Sequence, residues 1–111
     1  IITSATIGFE RSDLLTAWLY LDYDGAGQGF GGQILLLGDD YKHHSLKHNY
    51  AGLFISKVLK IAGVEKWEDL TGKTIRVCAD HDRIYGIGHI VKDVWFYPEF
   101  DFVRMEAGEA E

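Results

Sequence analysis

The sequence predicts an α+β domain in which one main helix packs on an antiparallel sheet of about five strands, arranged as a three-stranded meander, the helix and a hairpin. Three observations carry this expectation. Runs of β-branched and apolar residues with two-residue alternation flank a single stretch with helical spacing. A segment with five glycines in eight residues, Gly25 to Gly32, separates two of the strand-like runs. Finally, 47% hydrophobic residues, with three Trp, six Tyr and six Phe among 111, are enough to build a core.

Taken in order, Ile1 to Phe9 reads as a first strand with Thr3, Ala5, Ile7 and Phe9 on one face. Leu14 to Tyr23 alternates, so that Leu15, Ala17, Leu19 and Leu21 form a core face while Trp18 and Tyr20 take the other. The glycine segment then supplies a reversal, because glycine reaches positive φ and lets backbone or rings approach without a Cβ in the way. Gln33 to Leu37, apolar without alternation, completes a three-stranded meander. A polar connector from Gly38 to Lys47 leads to Asn49, the N-cap of a helix from Tyr50 to Ala62. Its apolar stripe is Ala51, Phe54, Ile55, Val58, Leu59 and Ala62, and Gly63 is its stop.

Trp67 to Leu70 reads as a helical turn, and Thr74 to Ala79 with Ile84 to Val91 as a hairpin around Asp80 to Arg83. Gly86 and Gly88, on alternate positions, leave a strip against which a helix or an aromatic ring can lie. Trp95, Phe96, Tyr97, Phe100 and Phe102 close the fold around Pro98. Residues 1–102 thus read as one domain. Residues 103–111, in which four of nine are Glu or Arg, read as a flexible acidic tail.

Eleven Lys and Arg against 17 Asp and Glu give a net charge of −6. That balance works against direct binding to nucleic acid or to anionic membranes; it suits either simple solubility, the plainer reading, or a basic protein surface. Cys78 is the single cysteine, so no internal disulfide forms, and a reducing cytoplasm fits best. No run approaches the roughly 20 apolar residues of a membrane-spanning helix.

Four groups of residues invite a chemical reading. Gly27 to Gly32 matches G-x-G-x-x-G, yet a dinucleotide site needs a helix directly afterwards, and Gln33 to Leu37 is strand-like. His43, His44 and His48 have no Glu in a metalloprotease arrangement and stand beside Lys42 and Lys47, as a solvated loop would. Asp80, His81, Asp82 and His89 are the better chemical group. If they converge, joined by Asp39, Asp40 or Asp93 where the fold brings those near, carboxylates and imidazoles together would serve a small metal-dependent hydrolase or nuclease. The plainer reading makes Asp80 and Asp82 turn residues and His89 a half-buried strand residue.

Trp18 and Tyr20 are the fourth group. Unless the helix covers them, they form an exposed aromatic patch of the kind that anchors protein partners. Together with Asp22, Asp24, Gln28 and Phe30 around the glycine hairpin, they make the predicted partner-binding set, which needs neither cofactor nor metal. The alternatives are a sheet covered on both faces or a homodimer formed through this face.

Several segments in combination resemble a family of small phage and prophage proteins of unassigned function. They are Gly27-Gln28-Gly29-Phe30-Gly31-Gly32, Tyr50-Ala51-Gly52, Ile61-Ala62-Gly63-Val64 with Trp67, Gly72-Lys73-Thr74-Ile75-Arg76-Val77, and Ile87-Gly88-His89-Ile90-Val91-Lys92-Asp93 with Trp95-Phe96. The resemblance spans about residues 2 to 102 and implies no activity of its own. Small acidic phage accessory proteins include inhibitors of host defence such as anti-CRISPR proteins. By that analogy the expected task is to bind and inhibit or modulate a bacterial protein with a basic nucleic-acid-binding surface, in the host cytoplasm. A metal-dependent hydrolase and a structural or assembly protein are the alternative expectations.

Overall fold

A computed structural model describes residues 1–10, 14–23, 26–33, 35–37, 50–80 and 83–106. The first sheet contains β1 (Ile2–Glu10), β2 (Leu14–Tyr23) and β3 (Ala26–Gly31) as an antiparallel meander, with β2 in the middle. A two-residue strand, β4 (Leu36–Leu37), pairs with Leu14 and Leu15 of β2. The amides of Gly32 and Leu35 donate to the carbonyls of Ala17 and Leu15, so β3 and β4 together form one kinked neighbour of β2. Gly31 and Gly32 make the kink at φ +113° and +83°, a region that disfavours any residue with a Cβ.

Helix α1 spans Tyr50–Ala62, as its sequence periodicity predicts. It ends in a Schellman turn: Gly63 has φ +74°, its amide reaches Lys60 O, and the Val64 amide reaches Leu59 O. The buried stripe is Tyr50, Leu53, Phe54, Val58 and Ile61. It is rotated from the predicted one, since Ala51, Ile55, Leu59 and Ala62 are only half-buried. A 3₁₀ turn at Trp67–Asp69 leads to the second sheet. The predicted cap Asn49, the 38–47 connector and its three histidines lie outside the described residues.

The second sheet consists of β5 (Arg76–Ala79), β6 (Ile84–Gly88) and β7 (Trp95–Phe96), with β6 in the middle. Helix α2 (Pro98–Glu106) follows and is tied to the start of α1 by Phe102 stacked on Tyr50, with centroids 4.5 Å apart. The α+β class holds, but the expected single sheet of about five strands with one helix does not. The strands divide between two sheets, and the aromatic closing segment supplies a further strand and a second helix. Helix α2 also takes in residues 103–106 of the expected tail; residues 107–111 lie outside the described set.

The two sheets meet at an aromatic junction. Phe30 of β3 and Phe54 of α1 stack with centroids 5.8 Å apart, and Phe96 of β7 packs edge-on against both. All three are buried. Leu19, Leu21, Ile61, Leu70 and Ile87 fill the space around them. Edge-to-face aromatic pairs of this kind add about 1 kcal/mol beyond the area they bury.

Candidate binding face

The outer face of the first sheet follows from strand alternation. Leu15, Ala17, Leu19 and Leu21 point to the core, which leaves Thr16, Trp18 and Tyr20 on the far side of β2. Opposite them on β1 stand Gly8, Thr6 and Ser4. Trp18 and Tyr20 stack with centroids 6.0 Å apart and planes 15° from parallel. The indole lies on the glycines of β3 and its continuation: a Cβ at Gly32 would sit 2.2 Å from Trp18 Cζ2, and one at Gly29 would sit 3.2 Å from the ring. The glycine-rich segment is thus both a kink and a platform for a tryptophan.

Beside this stack runs an open groove of about 300 Å³, lined by Thr6, Gly8 and Glu10 of β1 and Thr16, Trp18 and Tyr20 of β2, among others. The space above Gly8 is open, since a Cβ there would meet no atom within 4 Å. Tyr20 remains 42% exposed and Trp18 is half-buried. The described residues of this sheet carry no Lys or Arg, while Glu10 and Asp22 are both exposed. The face can therefore offer aromatic area, hydroxyls and negative charge to a partner.

The predicted partner-binding residues divide accordingly. Trp18, Tyr20 and Asp22 belong to the outer side or its margin. Phe30 does not: it pairs with Leu19, shares the inward face and is 1% exposed. Sequence reasoning placed it at the surface because the glycines around it hide the alternation. Gln28 pairs with Leu21 and is half-buried on the same inward side, and Asp24 lies outside the described residues. Thr6, Gly8, Glu10 and Thr16 were missed, although aligning β1 against β2 as a hairpin would have set Thr6 beside Trp18.

The His/Asp group is taken up by turns. Asp80 Oδ1 accepts the Arg83 amide at 3.0 Å and its Oδ2 accepts the Tyr85 hydroxyl. His89 Nδ1 accepts the amides of Val91 and Lys92, both at 3.0 Å, which leaves the ring proton on Nε2. Asp80 and His89 flank opposite ends of the five-residue β6, about 16 Å apart at strand rise. Asp93 holds the Trp95 indole N–H at 3.0 Å. His81 and Asp82 lie outside the described residues, as do Asp39 and Asp40; among the described residues no three His, Cys, Asp or Glu side chains gather at a metal-binding distance.

The outer face of the second sheet repeats the arrangement with a different outcome. Trp95 and Tyr97 stack with centroids 6.1 Å apart, against Gly88 and Gly86, where a Cβ would fall 2.6 and 2.5 Å from the rings. Arg76 of β5, opposite Gly88, reaches across the glycine to place its guanidinium 4.8 Å from the Trp95 ring centre. Its Nε and Nη2 donate to the carbonyls of His89 and Lys92, both at 2.7 Å. Cys78, opposite Gly86, meets Tyr97 in the same way. Burial and the hydrogen bond with the Cys78 thiol push the Tyr97 phenol above its ordinary value, with the charges of Cys78 and Asp93 acting in the same direction.

No protein-family model matches the chain, and no curated protein or solved structure is significantly similar to it. Among the described residues, no helix is long and apolar enough to cross a membrane.

Proposed function

We propose that this chain is a small acidic binding module of the phage accessory type, acting without catalysis of its own. It docks the outer face of its first sheet on a bacterial protein that handles nucleic acid, in the host cytoplasm, and inhibits or modulates that protein. The observation that supports this reading is the open groove beside the Trp18/Tyr20 stack, on a sheet whose described residues carry no cation. Exposed aromatics on a rigid sheet give contact area at low entropic cost, and Trp and Tyr are enriched among residues that dominate interfaces. Residues 1–37 contain four Asp or Glu and a single Arg, a local imbalance that steers the face toward a basic groove.

The test compares capture of host proteins by the tagged wild-type chain with capture by Trp18→Ala and Tyr20→Ala. A partner recovered at near-equal stoichiometry by the wild type should bind each variant at least about 30-fold more weakly, with the thermal melt nearly unchanged. Retention of that partner by both variants would refute this face as the site.

A further inference from the structure

We infer that two copies of this chain pair through the outer edge of β1, antiparallel about a twofold axis at Ile7. The hydrogen-bonding parity of the sheet carries the inference. The carbonyls of Leu15 and Ala17 accept from Leu35 and Gly32 on the far side of β2. The even residues of β2 therefore bond to β1, and their partners there are Ser4, Thr6, Gly8 and Glu10. The amides and carbonyls of Ala5, Ile7 and Phe9 consequently point off the sheet, and no described residue pairs with them.

That edge lacks the usual protection. From Ile1 to Phe9 there is no charged side chain and no proline, whereas edge strands are ordinarily blunted by one or the other. Ile7 and Phe9 are 42% and 55% exposed although their neighbours across the ladder, Ala17 and Leu15, belong to the core side. The edge is already used once: Ile2 exchanges backbone bonds with Lys73 at 2.9 Å and Gly72 at 2.7 Å. A register slip between Ile2 and Ser4 then moves the outward parity to Ala5, Ile7 and Phe9.

Of the antiparallel registers open to two copies, the one centred on Ile7 pairs all three outward residues. Ile7 meets Ile7 of the partner subunit, and each Phe9 meets the small Ala5 across the axis, so bulk faces space twice. Glu10 falls opposite Ser4, not another carboxylate, which avoids a like-charge pair. The ladder fits between the Gly72–Lys73 segment and the end of β1 at Glu10. Such a contact is self-complementary, as twofold symmetry requires; it leaves Trp18 and Tyr20 uncovered, while Ile7 and Phe9 also border the groove beside them.

Sedimentation of the full chain across concentration tests it. The wild type is expected to show a concentration-dependent dimer, Ile7→Lys a dimer at least about tenfold weaker, and Val91→Lys, at an 80% exposed position elsewhere, no change. In a Cys78→Ser background, Ala5→Cys combined with Phe9→Cys should give a covalent dimer on mild oxidation, because directly paired strand residues lie about 5.5 Å apart at Cα. A wild type that stays monomeric at sub-millimolar concentration overturns the inference. So does a dimer that survives Ile7→Lys, or the absence of cross-linking from a dimeric double-cysteine chain.

Discussion

The two sheets carry the same short ladder and use it oppositely. In the first, Trp18-Leu19-Tyr20 lies against Gly29-Phe30-Gly31; in the second, Trp95-Phe96-Tyr97 lies against Gly86-Ile87-Gly88. Each places an apolar middle residue in the core and a stacked Trp/Tyr pair outside. The difference is which strand holds the glycines. On the central β6 they let Arg76 and Cys78 reach over from β5 and close on the rings. On the outlying β3 they support Trp18 from one side only, and the other side opens toward Thr6 and Gly8. Moving the glycines by one strand decides whether neighbouring side chains reach over the rings or a groove opens beside them.

The largest expected effect tests the equivalence of the two ladders at their inward residues. Phe30→Ala and Phe96→Ala should each cost about 3–5 kcal/mol in denaturant unfolding, because both leave a cavity at the Phe54 junction. Were Phe30→Ala to cost under 1 kcal/mol, the residue would belong to the surface. A smaller effect sharpens the contrast between the outer faces. Trp95 is pinned by Arg76 on its ring and by Asp93 at its indole N–H, so Gly88→Ala should cost about 1–3 kcal/mol. Trp18 can yield toward the groove, and Gly29→Ala should be close to neutral, since Ala is intrinsically better than Gly in a strand by about 0.5–1 kcal/mol. Equal costs at the two positions would erase the distinction.

The smallest effect concerns alkaline pH. The folded state raises the Tyr97 phenol above its unfolded value, so its contribution is fully present below roughly pH 10 and is lost as pH rises through the folded value. Tyr97→Phe keeps the ring on Gly86 and should flatten the stability profile above that pH.

Much of this architecture was legible in the sequence where alternation or capping chemistry is local. The odd face of β2, the span of α1, its Gly63 stop and the 3₁₀ turn at Trp67 all depend on neighbours within a few residues. The glycine strip at Gly86 and Gly88 was legible too, as a place for an aromatic ring. The division into two sheets was not, because it depends on which strands fail to pair. Phe30 was misplaced because glycines on both sides give no polar partner to mark the solvent face. The groove was half legible: Trp18 and Tyr20 announce themselves, whereas Thr6, Gly8 and Thr16 matter only once β1 is set in register beside them. Asp80 and His89 look reactive in a linear sequence because it does not reveal that Arg83, Val91 and Lys92 amides occupy their acceptor atoms.

The bonds between Ile2 and the Gly72–Lys73 segment also set an order of assembly. β1, β2 and β3 meet through connections of a few residues and can pair soon after they leave the ribosome, but the amide of residue 2 bonds to a carbonyl some 70 positions later. At about 5–20 residues per second, several seconds of synthesis separate the two. Through that interval the outward edge of Ile2 has no partner, and the register slip at Thr3 is held from the β2 side alone, by the Thr3 hydroxyl on Tyr20 O and the bonds between Ile1 and Asp22. The outward edge of β1 at Ile2 is therefore among the last parts of the sheet to be fixed, by a contact whose long sequence separation makes it slow to close.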